Sequence, residues 1–210
     1  IEDSLRRLQT DYVDLYQAHR DDADTPLAAS LAEFDKLIKE GKVSAIGASN
    51  YSADRLSEAL NVSKEQGLAE YQTLQPEYNL YDRKEYESSL EKVAQQHGLG
   101  VINYYSLASG FLSGKYRSKE DAHKSKRGQG VVDQYVNERG LKILAALDQV
   151  SKAHNAAPSE VALAWQIARP SITAPIVSAT SIEQINSLVK ATQLQLTSAD
   201  IEALAKASEY

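Results

Sequence analysis

The segment Val-Ser-Ala-Ile-Gly-Ala-Ser-Asn-Tyr-Ser, residues 43–52, decides how the rest of the chain is interpreted. Its apolar start predicts a short buried strand that ends in small and polar residues, after which Ser52 is suited to cap a helix. Small residues at the carboxyl end of a strand let a ligand approach the backbone, and strand–helix repeats bind ligands at that edge. Ser49 and Asn50 are also common turn formers, so the segment alone leaves both interpretations open.

On both sides of this segment, predicted strands alternate with predicted helices at about thirty residues per unit. Alternation of this kind indicates an α/β fold with a parallel sheet, either open and doubly wound or an arc of a barrel. A Gly-x-Gly-x-x-Gly fingerprint after the first strand would favour the open sheet, and it is absent. The five predicted strands end near His19, Ser49, Gln75, Tyr104 and Ser178.

The alternation breaks at residues 106–137, a stretch that contains a basic cluster and is expected to be a functional or disordered loop. Beyond it the pattern predicts further helices and a last strand over residues 174–177. Thr180 and Glu183 match a capping box for the following helix. The apolar residues of that helix are expected to face inward, and they are Ile182, Ile185, Leu188 and Val189.

Composition narrows the classes of function. The 210 residues are expected to form a single domain, 1–210, and the net charge of −6 with interspersed signs argues against a nucleic-acid partner. No apolar run approaches the roughly 20 residues needed to span a bilayer. Cysteine is absent, which excludes disulfides and thiolate metal sites, and no metal site is predicted. The chain starts at Ile1 inside an apparent helix, so we expect it to be part of a longer, cytoplasmic protein.

Five runs, in order, give the sequence a resemblance to the aldo-keto reductases, specifically the bacterial branch related to potassium-channel β subunits. Each run alone is a weak signal, whereas the ordered set covers nearly the whole chain. The runs are Ser4-Leu-Arg-Arg-Leu-Gln-Thr-Asp-Tyr-Val-Asp-Leu-Tyr-Gln-Ala-His19, Gly41-Lys-Val-Ser-Ala-Ile-Gly-Ala-Ser-Asn50, Leu74-Gln-Pro-Glu-Tyr-Asn79, Leu107-Ala-Ser-Gly-Phe-Leu-Ser-Gly-Lys-Tyr116 and Ala174-Pro-Ile-Val-Ser-Ala-Thr-Ser181.

The resemblance implies a (β/α)8 TIM barrel, of which this chain would cover about strands 4 to 8 and their helices. It also implies an enzyme that transfers hydride from a nicotinamide dinucleotide, usually NADPH, to an aldehyde or ketone. The family uses a Tyr that donates a proton, a Lys and an Asp that lower the pKa of that Tyr, and a His that orients the carbonyl. Of these four groups, only the histidine has a counterpart here, and that counterpart is His19.

The resemblance assigns the remaining site residues to parts of the cofactor. Ser49, Asn50 and Gln75 would hydrogen-bond the nicotinamide carboxamide, for which amide side chains offer both donors and acceptors. Tyr104 would stack on the nicotinamide ring, with the adjacent Tyr105 as an alternative. The phosphate groups would be bound by two sets: Leu107, Ser109, Gly110, Lys115 and Arg127 for the pyrophosphate, and Ser178, Thr180 and Gln184 for the adenosine 2′-phosphate.

Three alternatives stay open at this point. No Lys or Arg occurs in residues 176–189, so NADH is retained beside NADPH as the cofactor. The protein is interpreted as a reductase of small carbonyl compounds, or else as a nicotinamide-binding redox sensor that docks to another protein as β subunits do. A third interpretation of the function is a scaffold, in which the half-barrel is completed by dimerisation. A homo-oligomer is therefore retained among the alternatives. The histidines other than His19, which are His97, His123 and His154, are expected to be solvated.

Overall fold

A computed structural model describes residues Ile1–Tyr210, and contacts between Cα atoms divide them into two units. The first unit comprises Ile1–Pro76 and Glu87–Val101, and the second comprises Glu77–Tyr86 and Ile102–Tyr210. Since this division is one of contact density within a chain, the expectation of a single domain stays a prediction.

The strands of the first unit are parallel, as their alternation with helices predicts. β1 (Val13–Ala18) pairs with β2 (Val43–Ser49), and β2 pairs with β3 (Tyr71–Gln75). β3 pairs in turn with the first two residues of β4 (Gly100–Asn103). Parallel strands place their carboxyl ends at one edge, so the residues that follow β1, β2 and β3 are brought together.

The helices of the first unit cover these strands with apolar residues. The first helix, α1, spans Glu2–Leu8, and the next two, α2 (Leu27–Lys39) and α3 (Ala53–Gln66), each follow a strand. A π-helical turn at Tyr86–Leu90 leads into α4 (Glu91–Gln96). The fully buried core consists of Leu31, Ile46, Ala48, Leu56, Ala59 and Leu74.

Helix ends in this unit follow the sequence signals with one shift. Ser52 caps α3, with its side chain accepting a hydrogen bond from the backbone N–H of Arg55, and Gly67 ends it in the left-handed region at φ 64°. The N-cap of α2 is Pro26 itself, in an extended conformation without a side-chain cap. The pattern Thr25-Pro26 predicts Thr25 as this cap, so the prediction was wrong by one residue.

Gly47 lies where two neighbouring strands leave no room for a side chain. A Cβ at this position would lie 2.1 Å from Oγ1 of Thr73, a contact that real Cβ atoms do not make. The hydroxyl of Thr73 is held there by donating to Oε1 of Gln17 at 3.2 Å. The glycine is therefore required by close packing across β1, β2 and β3 rather than by a turn.

The second unit is mostly helical. The last two residues of β4 pair in parallel with β5 (Ala174–Pro175), which is shorter than the strand predicted over residues 174–177. Around this pair lie five α-helices, and a core formed by the aromatic residues Tyr78, Phe111, Tyr135 and Trp165. The helices are α5 (Gly128–Tyr135), α6 (Glu138–His154), α7 (Pro158–Ile167), α8 (Ile182–Gln193) and α9 (Ser198–Ala207).

The long stretch at residues 106–137 contains more regular structure than expected. It includes two 3₁₀ segments, Ala108–Ser113 and Lys119–Lys124, in addition to α5. The second segment starts with a capping box in which Ser118 and Asp121 exchange hydrogen bonds between side chain and backbone. The stretch is therefore not a disordered loop, and its regular structure was missed because short 3₁₀ segments carry no apolar periodicity.

The expectations for α8 were wrong in two respects. Its N-cap is Ser181, whose side chain accepts from the backbone N–H of Gln184, so the predicted capping box of Thr180 and Glu183 does not form. Three of its four predicted inward residues are exposed, whereas Leu188 is half-buried and lines a cavity described below. The exposed fractions are 71% for Ile182, 52% for Ile185 and 53% for Val189.

Candidate functional site

In the first unit, residues at the carboxyl ends of β1, β2 and β3 form one hydrogen-bonded group. Ser49 donates from Oγ to the backbone carbonyl of Gln75 at 2.8 Å. Asn50 donates from Nδ2 to the backbone carbonyl of His19 at 2.8 Å and to Oγ of Ser49 at 3.1 Å. The structure therefore brings together all four of the site residues expected in this part of the chain.

Exposure separates the members of this group. Ser49 is 2% exposed, whereas Asn50 and His19 are exposed. Asn50 also has a left-handed backbone conformation at φ 56°, which asparagine tolerates better than most residues. Ser49 is thus suited to hold the strand ends in place, whereas the side chains of Asn50 and His19 are accessible from solvent.

The loop that follows His19 is held onto α3 by a bidentate ion pair. Arg55 donates from Nε to Oδ2 of Asp21 at 2.8 Å, and from Nη2 to Oδ1 at 3.0 Å. Both side chains are partly buried, and the contact to the Asp21 carboxylate raises the pKa of Arg55. Paired donors and acceptors of this kind restrict orientation as well as distance.

In the second unit, the segment after β4 makes a left-handed turn. The angle φ is 53° at Tyr105, 48° at Ala108, 54° at Ser109 and 92° at Gly110. Positive φ is uncommon for residues with a Cβ and costs about 1–2 kcal/mol each. Such strain is found where surrounding structure holds it, and often at ligand sites. Turns with positive φ also point backbone N–H groups toward one side, where they bind anions.

This turn borders a cavity of about 680 Å³. Eight of the residues that the resemblance assigned to the cofactor phosphates line it, so the second unit brings both phosphate sets together. They are Leu107, Ser109, Gly110, Lys115, Arg127, Ser178, Thr180 and Gln184.

The charge of the cavity has one sign. Lys115, Lys126 and Arg127 line it, and no carboxylate does. None of the three cations forms a salt bridge with an Asp or Glu side chain. The ammonium of Lys115 is close to the turn, since a Cβ at Gly110 would lie 3.5 Å from Nζ. Unpaired cations next to a left-handed turn fit an anionic ligand such as a phosphate.

Lys126 and Ser125 were missed by sequence reasoning, although both line the cavity. The available signal was the excess of basic residues between Lys115 and Arg127. That excess does not indicate which side chains turn toward the cavity, because the fold of this stretch was not predicted.

The N-terminus of α8 forms the other side of the cavity. Oε1 of Gln184 accepts from the backbone N–H of Thr180 at 2.7 Å and from its Oγ1 at 3.2 Å. These bonds hold the residues that precede the helix, where the helix dipole is positive and favours anions. Ser178 and Thr180 lie on this edge of the cavity lining.

Tyr104 does not line this cavity, whereas the adjacent Tyr105 does. Tyr104 forms a parallel bridge with Glu77, and its ring lies 5.2 Å from the ring of Tyr105 in an edge contact. Burial raises the pKa of Tyr104, and the nearby carboxylates of Glu77 and Glu85 raise it further. The phenol is therefore neutral at physiological pH, and its assignment to the nicotinamide ring stays a prediction.

One of the histidines expected to be solvated is paired. Nε2 of His154 lies 2.9 Å from Oδ2 of Asp200, and the imidazole is among the groups that lower the pKa of that carboxyl. The expectation was wrong for His154 because the N-terminus of α9 folds against the end of α6. His97 and His123 are exposed.

Metal binding and membrane insertion are two further properties that side-chain clusters and helices can indicate. The side chains of His, Asp and Glu form no cluster of three or more that could hold a metal ion. None of the helices is both long enough and apolar enough to cross a membrane.

Comparison with known proteins identifies the family to which this arrangement belongs. Residues 1–209 match the aldo/keto reductase family, so the chain belongs to that family. The resemblance drawn from the five sequence runs is thereby confirmed, and the parallel α/β fold is the one that the family predicts.

Relatives in the family have names that refer to different functions. The chain is 32% identical over 197 residues to the uncharacterized oxidoreductase YrpG of Bacillus subtilis, covering 93% of this chain and 58% of that protein. It is 33% identical to a probable voltage-gated potassium channel subunit beta of Oryza sativa, covering 90% and 58%. It is 28% identical to L-glyceraldehyde 3-phosphate reductase of Escherichia coli, covering 91% and 56%.

A solved structure supports the fold. The thermostable aldo-keto reductase Tm1743, crystallised with the inhibitor epalrestat, superposes with a TM-score of 0.78 at 26% identity, covering 98% of this chain and 64% of that one. The chain spans somewhat more than half the length of the curated relatives quoted above. A full barrel is therefore implied by the family, and the assignment of this chain to strands 4 to 8 stays a prediction.

Proposed function

We propose that the protein is an NADPH-dependent oxidoreductase that reduces aldehydes or ketones to alcohols by hydride transfer. The observation that carries this proposal is the cavity of the second unit, with its three unpaired cations and left-handed turn. Membership of the aldo/keto reductase family supplies the reaction class.

The residues of the cavity fit the phosphates of a dinucleotide. Lys115 and Arg127 contribute positive charge, and the turn contributes the backbone N–H of Ser109, whereas the N–H of Gly110 donates to the carbonyl of Leu107 within the turn. The hydroxyls of Ser178 and Thr180, just before α8, suit the 2′-phosphate on the adenosine of NADPH. Lys126 provides the cavity with a cation that residues 176–189 do not supply, which favours NADPH over NADH as the cofactor. A bound dinucleotide supplies the hydride, and these residues hold and orient it.

Residues of the first unit are proposed to act on the nicotinamide and on the substrate. The side chain of Gln75 offers donors and an acceptor to a primary carboxamide, and Oδ1 of Asn50 offers an acceptor, since Nδ2 of Asn50 donates to His19 and Ser49. The imidazole of His19 is proposed to donate an N–H to the carbonyl oxygen of the substrate, which a neutral ring can do near pH 7. We propose the cytoplasm as the location of this activity.

A second candidate function is a nicotinamide-binding redox sensor that docks to another protein. The relationship to potassium channel β subunits, at 33% identity for the rice protein, favours this alternative. Both candidates require the cofactor, and they differ in turnover. An assay of the whole protein with NADPH and a panel of small aldehydes distinguishes them, because a sensor binds the cofactor without steady-state oxidation of it.

The cofactor assignment is tested by calorimetric titration with NADPH and NADH. We expect NADPH to bind, and Lys115→Ala and Arg127→Ala each to weaken binding by about tenfold, as the loss of one charge-assisted hydrogen bond of 1.5 kcal/mol or so would do. Lys119→Ala is the matched control, because Lys119 belongs to the same basic stretch but does not line the cavity. No heat of binding with either nucleotide would refute the proposal.

A further inference from the structure

Three polar side chains form a hydrogen-bonded cluster beneath the left-handed turn. Asn103 and Gln166 are 0% exposed and Ser106 is 1% exposed. Asn103 donates from Nδ2 to Oε1 of Gln166 at 2.7 Å, and Oγ of Ser106 lies 3.2 Å from the same nitrogen. Gln166 donates from Nε2 to the backbone carbonyl of Ser106 at 2.8 Å. We refer to these residues as the buried triad.

The buried triad connects separate segments of the second unit. Asn103 ends β4 and also donates to the backbone carbonyl of Tyr78 at 2.7 Å. Ser106 donates from Oγ to the backbone carbonyl of Ile176, just beyond β5, at 2.8 Å. Gln166 belongs to α7. Through these bonds, two strand ends and a helix hold the start of the turn from both sides.

Burying three polar side chains contributes less to folding stability than apolar side chains would in the same place. Buried polar groups must be fully paired, and one acceptor of the triad, Oδ1 of Asn103, has no hydrogen-bond partner. Apolar side chains of similar shape in place of both partners of a buried hydrogen bond are often neutral or stabilising. What a buried network provides beyond stability is a defined local geometry.

The segment that this geometry concerns lines the cavity. Tyr105, Ser106, Leu107, Ser109 and Gly110 are all part of the lining, and they include residues with positive φ. A turn of this kind relaxes toward commoner backbone angles unless the structure around it prevents the change. The carbonyl of Ser106 lies inside the turn, and the bond from Gln166 restrains it directly.

We propose that Gln166 and Asn103 are positioning residues for the phosphate-binding turn. They contact no ligand, and they hold the turn at residues 105–110, with positive φ at Tyr105, Ala108, Ser109 and Gly110, in the conformation that places Ser109 and Lys115 beside an anion. This inference rests on the proposed function for the identity of the anion, which is the phosphate part of a nicotinamide dinucleotide. It adds to that function a cause for the geometry of the site.

The test replaces Gln166 by methionine, which keeps the length of the side chain and removes its hydrogen bonds. If the turn then has its present conformation in about a tenth of the molecules, the Kd for NADPH rises about tenfold, because the apparent affinity scales with the competent fraction. The same loss is expected with 2′-phosphoadenosine diphosphate ribose, which lacks the nicotinamide. Both ligands are titrated by calorimetry, and the unfolding free energy of each variant is measured by urea denaturation.

Leu204→Ala is the matched control for general destabilisation. Leu204 is fully buried in α9 of the same unit and does not line the cavity. We expect this variant to unfold at lower urea concentration and to bind both ligands with wild-type affinity. A rise in Kd for Leu204→Ala equal to that for Gln166→Met would overturn the proposal, because stability alone would then account for the loss.

A second-site variant separates positioning from a purely structural role. Ala108→Gly removes the Cβ that makes a φ of 48° unfavourable, so the turn needs less support. In the Gln166→Met background, Ala108→Gly is expected to recover part of the lost affinity. No recovery would contradict the proposal. Should Gln166→Met fail to fold, Ser106→Ala, which removes the hydroxyl bond to Ile176, takes its place in the same cycle.

The outcome also separates this inference from the proposed function. If the wild-type protein binds neither ligand, the cofactor assignment has failed. If the wild type binds both and Gln166→Met binds them equally well, the cofactor assignment stands and the positioning role is refuted.

Discussion

At the scale of single residues, Glu77 is a carboxyl group whose surroundings oppose its charge. Burial raises the pKa of Glu77 above its ordinary value of 4.5, and the nearby carboxylates of Asp82 and Glu85 raise it further. The folded state therefore binds this proton more tightly than the unfolded chain does. As pH rises from below 4.5 through the raised pKa, this group reduces the free energy of unfolding.

We therefore expect Glu77→Gln to be more stable than the wild type at pH 7 and equal to it near pH 3.5. Urea denaturation of both proteins at a series of pH values measures the difference. Asp121→Asn is the control of opposite sign, because hydrogen bonds from Lys124 and from the backbone N–H groups of Arg117 and Ser118 lower the pKa of Asp121 to about 2. The variant Asp121→Asn is expected to be less stable than the wild type at pH 7, and this difference disappears toward pH 2. A gain from Glu77→Gln that did not vary with pH would contradict the argument.

Single residues also mark how far sequence reasoning reaches in the candidate site. Ser49, Asn50 and Gln75 could be predicted to meet, because each follows a parallel strand and such ends share an edge. Lys126 and the buried triad could not. The role of Lys126 depends on where residues 106–137 fold back, and short 3₁₀ segments leave no periodic signal from which to predict that path. The triad depends on how α7 packs against the end of β4.

At the scale of elements, the N-terminus of α8 shows why a cap can be misplaced by one residue. Thr180-x-x-Glu183 and Ser181-x-x-Gln184 both match the capping pattern, and both begin with a hydroxyl. In the structure the N-cap is Ser181. The side chain of Gln184 accepts a hydrogen bond from the backbone N–H of Thr180, which lies outside the helix. The same helix shows that apolar periodicity predicts a shared face without showing what covers it.

The assignment of this cap leads to a test by stability. Ser181→Ala removes the acceptor for the backbone N–H of Gln184 and is expected to lower the free energy of unfolding by about 1 kcal/mol. Thr180→Ala is the comparison, and it is expected to cost less, since it removes only a 3.2 Å hydroxyl bond to Gln184. Thermal or urea unfolding of both variants decides the matter. A larger loss of unfolding free energy for Thr180→Ala than for Ser181→Ala would show that Thr180 is the N-cap.

At the scale of the whole molecule, the parallel direction of the strands could be predicted from the sequence, whereas the division into two units could not. Alternating strands and helices require crossover connections, and these make neighbouring strands parallel. The boundary between the units falls inside β4, between Val101 and Ile102. No change in composition marks that point, so contact density there depends on packing that the sequence pattern does not contain.

The proposed activity of the whole protein gives a prediction for His19. If the imidazole orients the substrate carbonyl, His19→Ala should lower kcat by about 10²-fold, as misplacement of a reacting group by about 1 Å can do. The Kd for NADPH should change little, because the assigned phosphate-binding residues are elsewhere in the chain. Steady-state kinetics and calorimetry measure the two quantities, with the exposed His97→Ala as control. Equal losses in kcat and in cofactor affinity would make His19 a structural residue.

The aromatic core of the second unit has a practical consequence for spectroscopy. Trp165 is the chain's single tryptophan, it is fully buried, and it is stacked on Tyr78 at 5.9 Å between ring centroids. The guanidinium groups of Arg83 and Arg169 lie 5.0 and 5.4 Å from its ring. Indole emission therefore reports on the second unit alone, whereas tyrosine emission arises from both. A titration monitored at both wavelengths would show, without any label, which unit responds to an added nucleotide.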